Sequence, residues 1–186
     1  MTYVLMAIFA VGVVFLDQWT KYWTVQNISP WFCADMEACK EHITALVENH
    51  LLPSGVSLPQ SLPGIKGVFS LIQVHNPGAA WSSFPGQIWL FALIFAVFTA
   101  AIIWVYCKKA LPFSKFEWFC IAAIYGGGLG NMIDRLRLGY VIDMIETQFI
   151  NFPVFNVADS FITCGCIALM VSLIFFNKAF WKDEKK

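Results

Sequence analysis

Between Ile88 and Cys107 the chain runs twenty residues without a charged side chain. A helix of about 20 residues is about 30 Å long, which matches the hydrocarbon core of a bilayer. Three further apolar stretches approach this length. The first is Met1 to Trp23, whose apolar core ends at Leu16. The others are Phe116 to about 133 and about 160 to 177. The first has no Lys or Arg ahead of its core and no small-residue cleavage site behind it, so it reads as a retained span and not a cleaved leader. Composition agrees. Hydrophobic residues make up 59% of the 186, charged residues only 13%, against roughly 25% charged in a soluble domain. Lipid is therefore the expected solvent. With 12 Lys+Arg against 12 Asp+Glu, the chain also lacks the basic footprint that nucleic acid requires.

Orientation follows from where the basic residues fall. Lys108, Lys109 and Lys115, with Lys178, Lys182, Lys185 and Lys186, place seven basic residues against three acids on one side; the other side has five against nine. The basic side is expected to be cytoplasmic, with both termini inside. The opposite face then holds residues 17–87 and 134–159. Residues 68–74 (VFSLIQV) and Tyr140 to Ile145 read as strands, with Val141, Asp143 and Ile145 on one side. Open strand edges are not tolerated in lipid, so a small sheet resting on the outer leaflet is expected. The fold class is thus a mainly α-helical membrane protein. It forms a single domain over 1–186, with four transmembrane helices and a small extracytoplasmic β-sheet. Residues 31–66 form an irregular insert, with helical apolar spacing from Asp35 to Leu52. Cys33 and Cys39 within it are a candidate disulfide if this side is oxidising.

The apolar stretches stop in polar residues at the outer face: Asp17 after the first, Asn131 and Asp134 after the third, Asp159 before the fourth. Ionisable residues beside a span point to function. Asp143 and Asp159 share one depth by this topology. Two such carboxylates share a proton, one activating water and the other hydrogen-bonding a scissile carbonyl. Taken singly, Asp159 fits an N-cap and Asp143 a solvated strand residue. Arg135 beside Asp134 fits an ion pair as well as a substrate contact. Gly126, Gly127, Gly128 and Gly130 on the third helix allow close backbone approach. His42, His50 and His75 are scattered, Cys164 and Cys166 have no second pair, and Ser and Cys lack a suitably placed His partner. No metal or other cofactor is expected.

Four blocks carry a resemblance: DQWTK at Asp17 to Lys21, NPGAAWSSF at Asn76 to Phe84, GNMIDRLRLGYVIDM at Gly130 to Met144 and FPVFNVADSFI at Phe152 to Ile162. In this order and spacing the chain resembles the bacterial lipoprotein signal peptidases (signal peptidase type II). The resemblance implies an intramembrane aspartic endopeptidase of the bacterial cytoplasmic membrane, with its site near the extracytoplasmic face. Its substrates would be diacylglyceryl-modified prolipoproteins in membrane lipid, cut just before the lipidated cysteine. The catalytic pair falls on Asp143 and Asp159. Asn131 and Asn156 would orient the pair or the peptide, Asn76 and Arg135 would hold substrate or a globomycin-type inhibitor, and Asp17 and Asp134 look structural. Trp81 stands where the family often has Phe, and the segment before Asn76 is longer than in most members. Two rival readings differ in what they predict. A proton-coupled carrier would show Asp-dependent ion flux, and a noncatalytic subunit would lose partner binding on Asp143→Asn.

Overall fold

The computed structural model describes residues 2–28, 30–31, 61–78 and 84–180. The helical spacing expected from Asp35 to Leu52, the candidate Cys33–Cys39 disulfide and Trp81 lie outside them. Among the described residues the order is α1 (Thr2–Asn27), β1 (Pro30–Trp31), β2 (Leu62–Pro63), β3 (Phe69–Asn76), α2 (Ile88–Lys108), α3 (Lys115–Leu138), β4 (Val141–Thr147) and α4 (Val157–Val171). A π-helical turn, Ser172–Phe176, follows α4. The chain divides into two compact units. One is helical (residues 1–20, 87–139 and 156–186) and the other holds the sheet (residues 21–86 and 140–155).

Among the described residues three helices are long and apolar enough to cross a membrane: Thr2–Asn27, Ile88–Lys108 and Val157–Phe176. α2 is the clearest case, since none of its residues is buried within the protein. Eleven of its 21 residues are Leu, Ile, Val or Phe, and such a surface cannot remain exposed to water without a large hydrophobic penalty. α3 spans 24 residues, but Glu117, its four glycines and Asn131 keep it out of that set on composition. Its core side is well covered instead: Cys120, Ile121, Ala122 and Ala123 are buried.

The helical unit packs around α3 because α3 is thin. A Cβ placed on Gly126 would stand 2.8 Å from the Ala10 carbonyl oxygen of α1, and one on Gly127 would stand 2.5 Å from the Ala158 carbonyl oxygen of α4. Small residues let helix backbones approach where lipid offers no hydrophobic drive. Aromatic rings close one end of the unit. Tyr3, Tyr106 and Trp118, from the starts of α1 and α3 and the end of α2, meet edge to face at centroid distances of 5.1, 5.8 and 6.5 Å.

Near that end sits a carboxylate with no solvent access. Ser114 caps α3 in a reciprocal capping box with Glu117. Glu117 Oε2 accepts from the Ser114 N–H at 2.6 Å and from Asn177 Nδ2 at 2.7 Å; Oε1 accepts from the Ser172 hydroxyl at 2.9 Å. A buried charge is tolerated only when its lone pairs are met. Ser172 of the π-helical turn and Asn177, which follows it, supply two of the three donors, so the end of α4 is tied to the start of α3.

In the sheet unit β3 is central. Val74 pairs with Trp31 on one edge and Asp143 on the other; Ser70 pairs with Pro63 on one edge and Glu146 on the other. β1 (parallel) and β2 (antiparallel) therefore follow one another along a single edge of β3, opposite β4 (antiparallel). A register shift between Leu71 and Val74 marks a bulge, which bends and twists the strand. Phe155 then bridges back to Ile145.

The helices exceed the expected spans. α1 continues ten residues beyond Asp17, because its last turns bury a polar stripe: Lys21 and Thr24 are 2% and 1% exposed, and the Thr24 hydroxyl reaches Met144 Sδ at 3.3 Å. α3 likewise runs past Asp134 to Leu138, where Gly139 closes it at φ +85°.

Two stability effects are expected. Gly127→Ala should lower stability by about 1–3 kcal/mol through overpacking against the Ala158 carbonyl. Glu117→Ala should cost about 3 kcal/mol, from lost charge-assisted bonds and stranded donors. Thermal unfolding of purified protein in detergent measures both, and an exposed α2 alanine substitution supplies the unaffected control.

Candidate active site

Each unit gathers its own share of the residues singled out in the sequence. In the helical unit the start of α4 is the organising point. The first N–H groups of any helix lack intrahelical partners, and here side chains meet three of them. Asn156 is the N-cap: its Oδ1 accepts from the Asp159 N–H at 2.9 Å, while Asp159 Oδ2 accepts from the Asn156 N–H at 3.2 Å. Asp17 Oδ1, from α1, accepts from the Ala158 N–H at 3.0 Å. The cap is thus Asn156, and Asp159 is the acidic partner three residues on.

Asp159 uses its second oxygen differently. Oδ1 accepts from Asn131 Nδ2 at 2.7 Å, and Asn131 Oδ1 accepts from Asn156 Nδ2 at 3.0 Å. The cycle Asn131–Asp159–Asn156 fixes both amide orientations, because each carbonyl faces a donor and each amino group an acceptor. Asn156 is completely buried and Asn131 is 8% exposed, whereas Asp159 is only half-buried. The cycle therefore holds an accessible carboxylate on a buried amide base.

Asp17 and Asp134 are buried, at 0% and 3% exposure. Asp134 Oδ1 accepts from Gln18 Nε2 at 2.8 Å. The guanidinium of Arg135 lies 4.4 Å from the centroid of the Phe91 ring on α2, a cation–π contact, and its Nη1 donates to the Asn131 carbonyl at 3.3 Å. Arg135 is thereby bound to the same α3 turn that presents Asn131. Gln18 lies in the DQWTK block, but nothing in the sequence sets it apart from its neighbours there.

In the sheet unit Asp143 is 3% exposed on β4. Its register partner is Val74, while Asn76 pairs with Val141. Asn76 and Asp143 are therefore diagonal neighbours on one face, and Asn76 Nδ2 donates to Asp143 Oδ2 at 2.9 Å. Asn76 Oδ1 accepts from the Gly78 N–H at 3.0 Å, an Asx turn that ends β3 at Asn-Pro-Gly. The same asparagine thus terminates the strand and holds the aspartate. His75, on the opposite face, stacks on Tyr140 at 4.2 Å and lies 2.9 Å from Gln73 Nε2 through its own Nε2. Burial pushes the His75 pKa below its usual 6.5, which favours the neutral ring that can accept from Gln73.

Among the described residues no group of three His, Cys, Asp or Glu is placed to hold a metal. Each unit presents one aspartate held by an asparagine amide: Asp159 by Asn131 in the helical unit and Asp143 by Asn76 in the sheet unit.

The family model described as signal peptidase (SPase) II matches residues 9–175. A lipoprotein signal peptidase of Enterococcus faecalis is 37% identical over 166 residues, covering 88% of this chain and 84% of that one. One from Streptococcus agalactiae is 36% identical over 181 residues, covering 97% and 94%. Two solved structures described as bacterial membrane enzymes superpose with TM-scores of 0.68 and 0.66. Their identities are 26% and 28%, and they cover 94% and 93% of this chain and 90% and 94% of theirs. A match of this extent, joined to apolar helices that need lipid, places the chain among bacterial membrane peptidases: it belongs to the signal peptidase II family.

Proposed function

We propose that this protein is an intramembrane aspartic endopeptidase that removes signal peptides from diacylglyceryl-modified prolipoproteins, with Asp143 and Asp159 as its catalytic pair. The observation that carries the reading is the matched holding of two aspartates by asparagine amides: Asn76 to Asp143 at 2.9 Å and Asn131 to Asp159 at 2.7 Å. Family membership supports the peptidase activity, and the names of the relatives supply the lipoprotein substrate.

In this reading the whole chain acts as one protease domain with four spans, α3 being the fourth. α3 is shielded from lipid on its core side, which lets it carry glycines and polar residues. Both termini face the cytoplasm, where the basic residues lie, and the sheet rests on the outer leaflet. The site then lies at the extracytoplasmic boundary, where water is available and a lipidated substrate can enter sideways from the bilayer.

The chemistry follows the two-carboxylate scheme. One carboxylate of the pair takes a proton from water, whose oxygen attacks the scissile carbonyl carbon. The other, protonated, donates to the carbonyl oxygen as it gains charge. The tetrahedral diol then collapses, the C–N bond breaks, and a proton passes to the departing nitrogen. The products are the signal peptide with a new carboxylate and a protein that begins with the free amine of its diacylglyceryl-cysteine. Asn131 and Asn156 hold Asp159, Asn76 holds Asp143, and Arg135 is placed to contact a substrate carbonyl. Asp17 and Asp134 support the frame. A globomycin-type inhibitor occupies the same position as the substrate.

Asp143→Asn and Asp159→Asn should each lower kcat by about 10³-fold or more, and the double variant should be no worse than either single one, because the pair acts as a unit. Purified protein in detergent with a diacylated proprotein measures this; an active Asn variant at either position would falsify the reading. Removing the diacylglyceryl group from the substrate should lower kcat/KM by about a hundredfold or more, since binding energy from the remote acyl chains is used at the reacting bond. Parallel assays of lipidated and unlipidated proprotein read that ratio, and equal rates would exclude lipid recognition.

A further inference from the structure

We propose that Gln18 is a positioning residue for the reaction, its side-chain amide holding the Asp17 carboxylate where that carboxylate fixes the start of α4 and hence Asp159. The inference rests on Asp159 being a reacting group, as argued above.

Three oxygens converge on one nitrogen. Gln18 Nε2 lies 2.8 Å from Asp134 Oδ1, 3.2 Å from the Gly130 carbonyl oxygen and 3.3 Å from Asp17 Oδ2. Two of these belong to carboxylates with 0% and 3% exposure. Buried carboxylates this close repel one another, and the amino group between them serves both. Only an uncharged double donor suits the place. A carboxylate there would add a third acceptor, and an apolar side chain would leave buried acceptors with one donor fewer, each such loss costing about 1–3 kcal/mol.

Asp17 is held from its other side by shape. A Cβ on Gly130 would stand 2.5 Å from Asp17 Oδ2, so α3 approaches the carboxylate as closely as a glycine allows. With Oδ2 fixed between Gly130 and Gln18, Oδ1 is presented to the Ala158 N–H at 3.0 Å. Ala158 is fully buried and directly precedes Asp159. Displacement at Gln18 thus passes through one carboxylate to the backbone that carries Asp159. A shift near 1 Å at a reacting group is worth about a hundredfold in rate.

The charged groups around position 18 are Asp17 on α1, Asp134 on α3 and, one turn along α1, Lys21; Arg135 is turned to Phe91. Two variants separate positioning from packing. Gln18→Met keeps the volume and removes the donor; kcat should fall by about ten- to a hundredfold with KM little changed. Gln18→Glu should show the same loss near neutral pH. Its rate relative to the native enzyme should recover toward about pH 5, where a protonated carboxyl regains an O–H donor. Both are read as initial rates on diacylated proprotein, in detergent, across the pH range. Native kcat in Gln18→Met, or a Gln18→Glu profile parallel to the native one, overturns the proposal. If Gln18→Met does not accumulate, the Gln18→Glu profile decides alone. Asp159→Asn in the same assay separates the two levels. Turnover by that variant sinks the underlying reading, whereas its inactivity beside native-like Gln18 variants sinks only this one.

Discussion

A carboxylate shut away from water must spend its oxygens on donors inside the protein. Asp17 does so in a way that ties three helices together. It belongs to α1, it accepts the Ala158 N–H at the start of α4, and its second oxygen lies against Gly130 of α3. Removing the donor, the glycine or the aspartate would loosen the same junction. The cost of burying the charge is offset at the helix N-terminus, where unpaired N–H groups and the helix dipole both favour an anion. The helical unit can therefore place polar residues at one end without a large polar core.

The opposite end of α3 repeats the solution with different atoms. Glu117 is equally buried and draws donors from its own cap, from the π-helical turn after α4 and from Asn177, which follows it. Between these two points α3 meets its neighbours through glycine and alanine, with backbone against backbone. A helix pinned at both ends by buried carboxylates and packed tightly along its length is a stiff support. In the proposed mechanism the Asn131–Asp159–Asn156 cycle requires a stiff support, since a catalytic arrangement tolerates displacement of only about 0.5 Å.

Much of the helical layout was legible because hydrophobic length is a long-range signal that survives local detail: α2 runs from Ile88 to Lys108 against an expected 88–107. β3 and β4 were legible from β-branched runs, Phe69–Asn76 against 68–74 and Val141–Thr147 against 140–145. The two-residue strands β1 and β2 were not, because they exist only through pairing with β3 and carry no periodicity of their own. The bulge in β3 was equally hidden. α1 and α3 run on beyond the expected spans of 1–23 and 116–133 for one reason. Hydropathy falls at Asp17 and Asp134, yet the helix continues because these polar side chains are satisfied internally. Gln18 was passed over because an amide beside an aspartate looks like surface, and only coordinates show three oxygens meeting at its nitrogen.

Asp159 shows why two readings of one residue need not compete. As a sequence feature it fitted a helix cap as well as a reacting carboxylate. In the structure its two oxygens have different partners, so the cap leaves room for the proposed reacting role. Oδ2 accepts the Asn156 N–H and completes the capping box; Oδ1 faces Asn131. The cap is what fixes the direction of the other oxygen, because a carboxylate bonded through one oxygen to the backbone has little freedom to swing. Asn76 does the same on the sheet, with its carbonyl spent on the Gly78 turn and its amino group on Asp143. In both places local backbone closure supplies the rigidity, and the rest of the same side chain is directed to a second one: Asp159 to Asn131, and Asn76 to Asp143.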